Sequence, residues 1–413
     1  MEKPTIVGID IGTTKVCTLV AQIEEDNSLR IIGVGIEPSR GMKKGVIVDL
    51  AAATECISRS VEKAQRSSAY EIHTALVSLA GSHVSSVNSR GVVGVANGIV
   101  SGVDVNRALE SAQAVAIPHN REIIHVIKRG FIVDGQEDIR QPIGMHGYRL
   151  ELEAHIITAA ATTVENLRKC TEAAGIKVSQ FVLNPLASGE VVLTEGEREL
   201  GVMVCDIGGG TTDLAIYINN NVWHTMVISV GGDLITSDIA HGLRLSLPQA
   251  EEVKKKYGHA VKREISEEDF FSMRAFGEES PTRISRKDLA MIIEARTEEI
   301  FQFVLQEIRR SGYDRLLPAG MVLTGGSSLL SGIRTVASEV LGLPVRIAQP
   351  ENLLGLVDQL YSPTFSTSVG LLNWSILMDK AARPDYVYQP SPPAGSWWNK
   401  VKNFLERFSV SSK

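Results

Sequence analysis

Cysteine is scarce in these 413 residues: there are four, at positions 17, 56, 170 and 205, with no C-x-x-C pair. That spacing gives neither a disulfide framework nor a zinc site, and a reducing compartment is the default. Excess positive charge is missing too. The chain has 42 Lys+Arg against 48 Asp+Glu, a formal charge of -6, which excludes a chain-wide basic surface for nucleic acid. No secretory leader is expected, because Met1-Glu2-Lys3-Pro4 is weakly basic and Asp10 interrupts the first apolar segment. Uncharged stretches such as Gln359 to Met378 are broken by Ser, Thr, Pro and Asn, so none is expected to span a membrane. A cytoplasmic protein follows. Two common nucleotide signatures are lacking as well, G-x-x-x-x-G-K-[ST] and a G-x-G-x-x-G after a strand.

What is present is a folded chain with 44% hydrophobic and 22% charged residues, long enough for two or three domains. Three segments repeat one pattern, a β-branched apolar run followed by a turn of small residues. They are Ile6 to Val16 around Asp10-Ile11-Gly12-Thr13-Thr14-Lys15, Val202 to Asp213 around Asp206-Ile207-Gly208-Gly209-Gly210-Thr211, and Met321 to Leu330 around Gly325-Gly326-Ser327-Ser328. Helical spacing of apolar residues over Ala51 to Gln65 and Thr163 to Ala174 separates them, so the fold class is α/β. The first two segments share strand-Asp-Ile-Gly-strand nearly half a chain apart. This predicts two similar halves facing each other across a cleft. Residues 83–162 read as a small α+β insertion, with strands near Val92–Val95, Ile123–Ile127 and Arg149–Glu153 and a helix from Asp104 to Ala116.

Turns of Gly and Thr expose backbone N–H groups to an anion, and Gly lets phosphate approach closely. Lys15 adds positive charge. Asp10 and Asp206 would repel phosphate unless a hydrated Mg2+ lay between them. Two such turns, one from each half, predict a grip on a nucleotide tail.

The end of the chain differs. Residues 379–396 carry four prolines and read as a flexible linker. Beyond it, Trp397, Trp398, Val401, Phe404, Leu405 and Phe408 recur at helical spacing as one apolar stripe. Residues 397–413 carry a net +3, and Trp favours the headgroup region. The stripe predicts a helix lying in the plane of an anionic membrane; packing onto the protein's own core is the alternative. The eighteen-residue linker, which can extend up to ~60 Å, favours the membrane.

In the order and separation of its three turns, the chain resembles the actin and heat-shock chaperone ATPase superfamily over residues 5 to about 375. That resemblance implies a two-lobed fold of duplicated ribonuclease-H-like halves that binds ATP with Mg2+. Gly12, Thr13, Thr14 and Lys15 with Gly208, Gly209, Gly210 and Thr211 would hold the phosphates, and Asp10 and Asp206 would hold the metal through water. Gly231, Gly232, Gly325, Gly326, Ser327 and Ser328 would border the adenosine. Glu251 and Lys254 would meet ribose and base, or form only an exposed intrahelical ion pair. Where the superfamily places a water-orienting Glu or Gln, this chain has Leu183-Asn184-Pro185-Leu186-Ala187-Ser188. Asn184 cannot act as a base, so at most weak ATPase activity is expected.

Within the superfamily, the insertion is similar to that of the FtsA family of bacterial cell-division proteins, through Ile117-Pro118-His119, Glu122 to Val126 and Pro142 to Leu150. Glu197 to Gly201 and Val322 to Gly326 match as well. The implied organisation is 1–82 plus 163–195 as subdomain 1A, 83–162 as 1C and 196–378 as the second half, with 2B at about 233–310. The implied role is an ATP-binding scaffold on the cytoplasmic side of the membrane, polymerising head to tail at the division site and holding the tubulin-like protein FtsZ there. Later division proteins would meet the insertion. Arg296 and Glu299 match an Arg and a Glu that contact the FtsZ tail in that family; a solvated helix face is the alternative. A pilus-assembly actin homologue and a small-molecule kinase of the same fold are the other readings.

Overall fold

The computed structural model describes residues 3–382 except 27 and 116, with side chains to residue 378. Residues 379–382, read as the start of the linker, are helical. The rest of the linker, 383–396, and the apolar stripe at 397–408 lie outside the described residues.

The first lobe opens with β1 (Thr5–Ile11), β2 (Lys15–Ile23) and β3 (Leu29–Pro38), antiparallel in turn. A short hairpin, β4 (Met42–Lys43) and β5 (Val46–Ile47), leads into α1 (Leu50–Ser68), capped by the Asp49 side chain on the Ala52 amide. Next comes β6 (Thr74–Leu79), parallel to β1. The chain then leaves for β7 (Ser85–Gly94), α2 (Gly102–Gln113), β8 (Arg121–Val133), β9 (Gln136–Ile139) and β10 (Arg149–Ala160). These form a separate four-stranded antiparallel sheet, ordered β7-β10-β8-β9, with its own small core. Gly91 sits where α2 crosses β7: a Cβ there would lie 1.9 Å from the Ala108 carbonyl oxygen. The sequence pattern placed this helix two residues late and its strands short; the missed part of β7, residues 85–91, is mostly small and polar and has no apolar run to mark it.

The chain rejoins the first lobe through α3 (Ala161–Ala173) and β11 (Lys177–Leu183), then crosses over through α4 (Asn184–Val192) and α5 (Glu195–Leu200). The second lobe repeats the first. Strands β12 (Val202–Ile207), β13 (Thr212–Ile218) and β14 (Asn221–Ile228) are antiparallel in turn. Helices α6 (Gly232–Leu243) and α7 (Leu247–Tyr257) follow, then the ribbon β15 (Phe270–Met273) and β16 (Thr282–Ser285) and the long α8 (Arg286–Ser311). Strand β17 (Met321–Thr324), α9 (Ile333–Leu341) and β18 (Val345–Ile347) complete the sheet. Strand β19 (Leu354–Gly355) returns to the edge of the first sheet beside β3, and α10 (Ser366–Ala382) ends the described chain.

The two sheets share one order. The first runs β3-β2-β1-β6-β11 and the second β14-β13-β12-β17-β18, with three antiparallel strands and then two parallel ones in each. Helices α4 and α10 are buried between them. Leu186, Ala187, Leu371 and Trp374 share a core with Ile9 and Val77 of the first sheet and Val204 and Ala215 of the second. The two helices cross at Gly370, where a Cβ would fall 1.9 Å from the Ala187 carbonyl oxygen. Both glycine-rich turns therefore end the central hairpins of their sheets on the same side of this crossing.

Candidate functional site

The two turns are built alike. Gly12 N–H donates to the Lys15 carbonyl at 2.9 Å, and Gly208 N–H donates to the Thr211 carbonyl at 2.9 Å. They face each other closely enough to exclude side chains. A Cβ on Gly209 would lie 2.3 Å from Thr14 Oγ1, and one on Gly210 would lie 2.5 Å from Thr13 Oγ1. The third turn closes the same space. Gly325 has φ +86°, and a Cβ there would meet Asp206 Oδ1 at 2.3 Å, so only glycine fits. Gly232 N–H and Ser327 Oγ both donate to the Gly208 carbonyl, at 3.0 and 2.9 Å. Together the turns line a cavity of about 450 Å3.

Three carboxylates stand at its floor. Asp10 Oδ2 accepts from Lys15 Nζ at 3.0 Å and from Ser368 Oγ at 2.7 Å. Asp206 Oδ2 accepts from Thr367 Oγ1 at 2.8 Å. Asp213 Oδ2 accepts from Thr211 Oγ1 at 3.1 Å and from the Asn184 amide at 3.4 Å. Burial pushes Asp206 up to about 6, with Asp10 adding to the rise. Asp213 is driven well above the carboxylate range, first by burial and then by Asp206. Its Oδ1 and that of Asn184 are buried without a partner. Lys15 is held by Asp10 and lies over the Phe365 ring at 4.9 Å. Burial opposes its charge, but Asp10, with Cys17 and Asp206, raises its pKa on balance. Much of the positive charge expected for phosphate is thus neutralised by Asp10.

Crowded, desolvated carboxylates of this kind favour a divalent cation, which removes their mutual repulsion. Among the described residues no cluster of three or more His, Cys, Asp or Glu is arranged to hold a metal directly. The donor set therefore suits a hydrated ion bound by one or two carboxylates, the habit of Mg2+. The glycine cradles fit an anion beside it.

At the other end of the cavity, Ile235, Gly258, Leu329 and Leu330 supply an apolar wall. Glu251 and Lys254, on one face of α7, pair at 2.6 Å and also line the cavity. The Thr236 hydroxyl donates to Glu251 and accepts from Lys254. Burial works against Glu251, but Lys254 first and then Thr236 and Lys255 hold it below the carboxylate range.

The cavity lining thus includes Asp10, Gly12 to Lys15, Asp206, Gly208 to Thr211, Gly232, Glu251, Lys254 and Gly325 to Ser327. Gly231 packs behind it, where a Cβ would meet the Gly209 carbonyl at 2.5 Å. Ser328 is buried and donates back to the Gly325 carbonyl at 2.7 Å. Arg296 and Glu299 are far along the chain on α8. They pair with each other, and Arg296 also forks onto Asp238 of α6. Sequence reading missed Asp213, Lys255, Thr364 and Thr367, all in the lining, and Ser368 beneath it. The run Ser366-Thr367-Ser368 before an apolar helix was a signal for a helix start and gave no sign of its partners.

The Cell division protein FtsA model matches residues 203–370, and the model of the SHS2 domain inserted in FtsA matches residues 81–158. Among solved structures, the PilM–PilN type IV pilus biogenesis complex shares the fold at TM-score 0.64 and 16% identity, covering 91% of this chain and 99% of that one. MreB5 of Spiroplasma citri bound to ADP does so at TM-score 0.53 and 17% identity, covering 91% and 98%. The fold is thus actin-like with an inserted α+β domain. The chain is 42% identical to the cell division protein FtsA of Pseudomonas aeruginosa, over 90% of this chain and 89% of that protein. It is 40% identical to that of Bacillus subtilis, over 89% and 83%. Against that of Escherichia coli it is 35% identical over 98% of both chains, and by these likenesses the chain belongs to the FtsA family of cell division proteins.

Proposed function

We propose that this protein binds ATP with Mg2+ between its lobes, polymerises head to tail, and tethers FtsZ to the inner face of the cytoplasmic membrane at the division site. The observation that carries the nucleotide reading is the matched pair of glycine turns, closed identically and facing each other over buried acids. Gly12 to Lys15 and Gly208 to Thr211 would take the phosphates, and Asp10 and Asp206 the hydrated Mg2+. Gly232, Glu251, Lys254 and Gly325 to Ser327 would border the adenosine. Gly231 and Ser328 would act from behind, by shaping those turns.

The scaffold reading rests on family membership. Subdomain 1A would comprise 1–82 plus 163–195, 1C residues 83–162, and the second half 196–378. Subdomain 1C would meet later division proteins. Arg296 and Glu299 would take the FtsZ tail, and residues 397–413 would lie in the membrane surface. Asn184 offers an amide where a water-activating base would stand, so ATP acts mainly as a switch for assembly.

Calorimetry with ATP and Mg2+, and retention of an FtsZ C-terminal peptide on immobilised protein, test the two halves of this reading. Wild-type protein binds both. Glu299→Lys, at a partly exposed position, releases the peptide and keeps ATP. Absence of ATP binding overturns the cleft, and equal peptide retention by Glu299→Lys overturns the FtsZ site.

A further inference from the structure

The two acids proposed to share the metal come from different lobes, and consecutive residues of one helix hold them. Thr367 Oγ1 donates to Asp206 Oδ2 at 2.8 Å, and Ser368 Oγ donates to Asp10 Oδ2 at 2.7 Å. Both hydroxyl residues are buried on the first turn of α10. The residue before them is anchored too, with Ser366 Oγ 2.7 Å from Thr324 Oγ1 of β17. That hydroxyl run is fixed to the second lobe on one side. On the other it reaches Lys15, whose Nζ lies 3.4 Å from Ser368 Oγ.

A few residues along, the same helix is pinned where it crosses α4 at Gly370, and it packs on β1, where a Cβ on Gly8 would lie 3.0 Å from Leu371 Cβ. The helix start is therefore held against the floors of both lobes at once. A carboxylate is free to rotate about its Cβ–Cγ bond. A buried hydroxyl on one oxygen fixes that rotation and leaves the acid a single presentation to the cavity.

We propose that Thr367 and Ser368 form a latch: they are positioning residues that fix Asp206 and Asp10, one from each lobe, for a shared hydrated divalent cation. Resting on the nucleotide reading above, the latch adds a route for the cation to be sensed outside the cleft. Because the two hydroxyls are adjacent on α10, cation binding that draws the acids together loads the start of that helix. The two hydroxyls thus tie one acid of each lobe to the same helix turn.

The test compares Mg2+-dependent with Mg2+-independent nucleotide binding in the full-length chain. ATP affinity is measured by calorimetry in Mg2+ and in EDTA for wild type, Thr367→Val, Ser368→Ala and Thr367→Ser. Thermal melting of each protein without ligand is recorded as well. Thr367→Val and Ser368→Ala should each weaken Mg2+-ATP binding about tenfold, the loss of one charge-assisted hydrogen bond. Affinity in EDTA should change less than about twofold, since uniform damage to the cleft is not involved. Thr367→Ser, which keeps the hydroxyl, should restore the Mg2+ dependence.

A merely structural role predicts otherwise: affinity in Mg2+ and in EDTA would fall together with the melting temperature. That result overturns the latch, as does wild-type Mg2+ dependence in both hydroxyl-free variants. If Thr367→Val does not fold, Thr367→Ser and Ser368→Ala decide. Loss of Mg2+ dependence in Thr367→Ser, or its retention in Ser368→Ala, overturns the proposal. Failure of the wild type to bind ATP in either buffer overturns the nucleotide reading and the latch with it, whereas wild-type binding with unaltered variants overturns the latch alone.

Discussion

Asn184 donates its amide to Asp213 Oδ2 at 3.4 Å across the lobe boundary, and the Oδ1 atoms of both residues are buried without a partner. An amide in this place orients a carboxyl but takes no proton. Hydrolysis by the wild type should be slow, and Asn184→Ala should keep its turnover within about threefold, because no base is lost. Phosphate release under single-turnover conditions checks this; turnover like that of a dedicated ATPase, or its collapse in Asn184→Ala, contradicts it.

Glycine is required at one position of the third turn and not at the next. Gly325 has positive φ and no room for a Cβ, whereas a Cβ on Gly326 would be 3.7 Å from Thr364 Oγ1. Gly325→Ala should cost about 1–3 kcal/mol of backbone and steric strain and weaken ATP binding at least about tenfold by displacing Asp206. Gly326→Ala should bind within about threefold of wild type, since ordinary van der Waals contact carries little strain. Equal binding by the two variants would show that the turn adapts.

Acid should loosen the joint between the insertion and the second lobe. His155 of β10 bonds Asn88 Oδ1 at 2.6 Å and Thr225 Oγ1 of β14 at 3.0 Å. Burial depresses it to about 3, with His224 and Arg129 adding to the effect. A histidine depressed in the folded state stabilises fully above its unfolded value near 6.5, and the contribution is lost as pH falls toward the folded value. At pH 5 the loss is about 2 kcal/mol. His125, depressed to about 4 by burial, acts in the same direction. Asp206, raised to about 6, acts oppositely: its contribution is present at low pH and is lost as pH rises toward 6. Melting curves of wild type and His155→Gln from pH 7 to 4.5 separate the terms. The melting temperature of the variant should fall less over that range; parallel curves would remove His155 from the account.

Residues 397–413 should carry membrane attachment. Intact protein should sediment with anionic liposomes, and a chain ending at Ser396 should stay in solution. Trp398→Glu should bind much less, because it puts charge in the apolar stripe. Each basic residue near such a surface contributes about 1 kcal/mol, so attachment of single chains should weaken in high salt and strengthen on polymerisation. Equal pelleting of all three proteins would remove the anchor.

Much of the fold was legible because local rules act over a few residues. Apolar β-branched runs gave β1, β2, β12 and β13, and the glycines between them marked the turns. Likewise α1 and α3 were found within a few residues of their ends, and α7 set Glu251 and Lys254 three apart on one face. By itself, the sequence determined that two matched hairpins and a third glycine turn exist, and which acids precede them. Tertiary structure alone decided what those acids touch. Thr367 lies 161 residues from Asp206, and Ser368 lies 358 residues from Asp10. Asp238 likewise reaches Arg296 across 58 residues. No spacing rule links such pairs, because periodicity reports only which face of one element is apolar. Asp238 and Arg296 meet because α6 packs against α8. The two acids of the cleft meet their hydroxyl partners because α4 and α10 cross between the two sheets, and that crossing exists only once both lobes have folded around it.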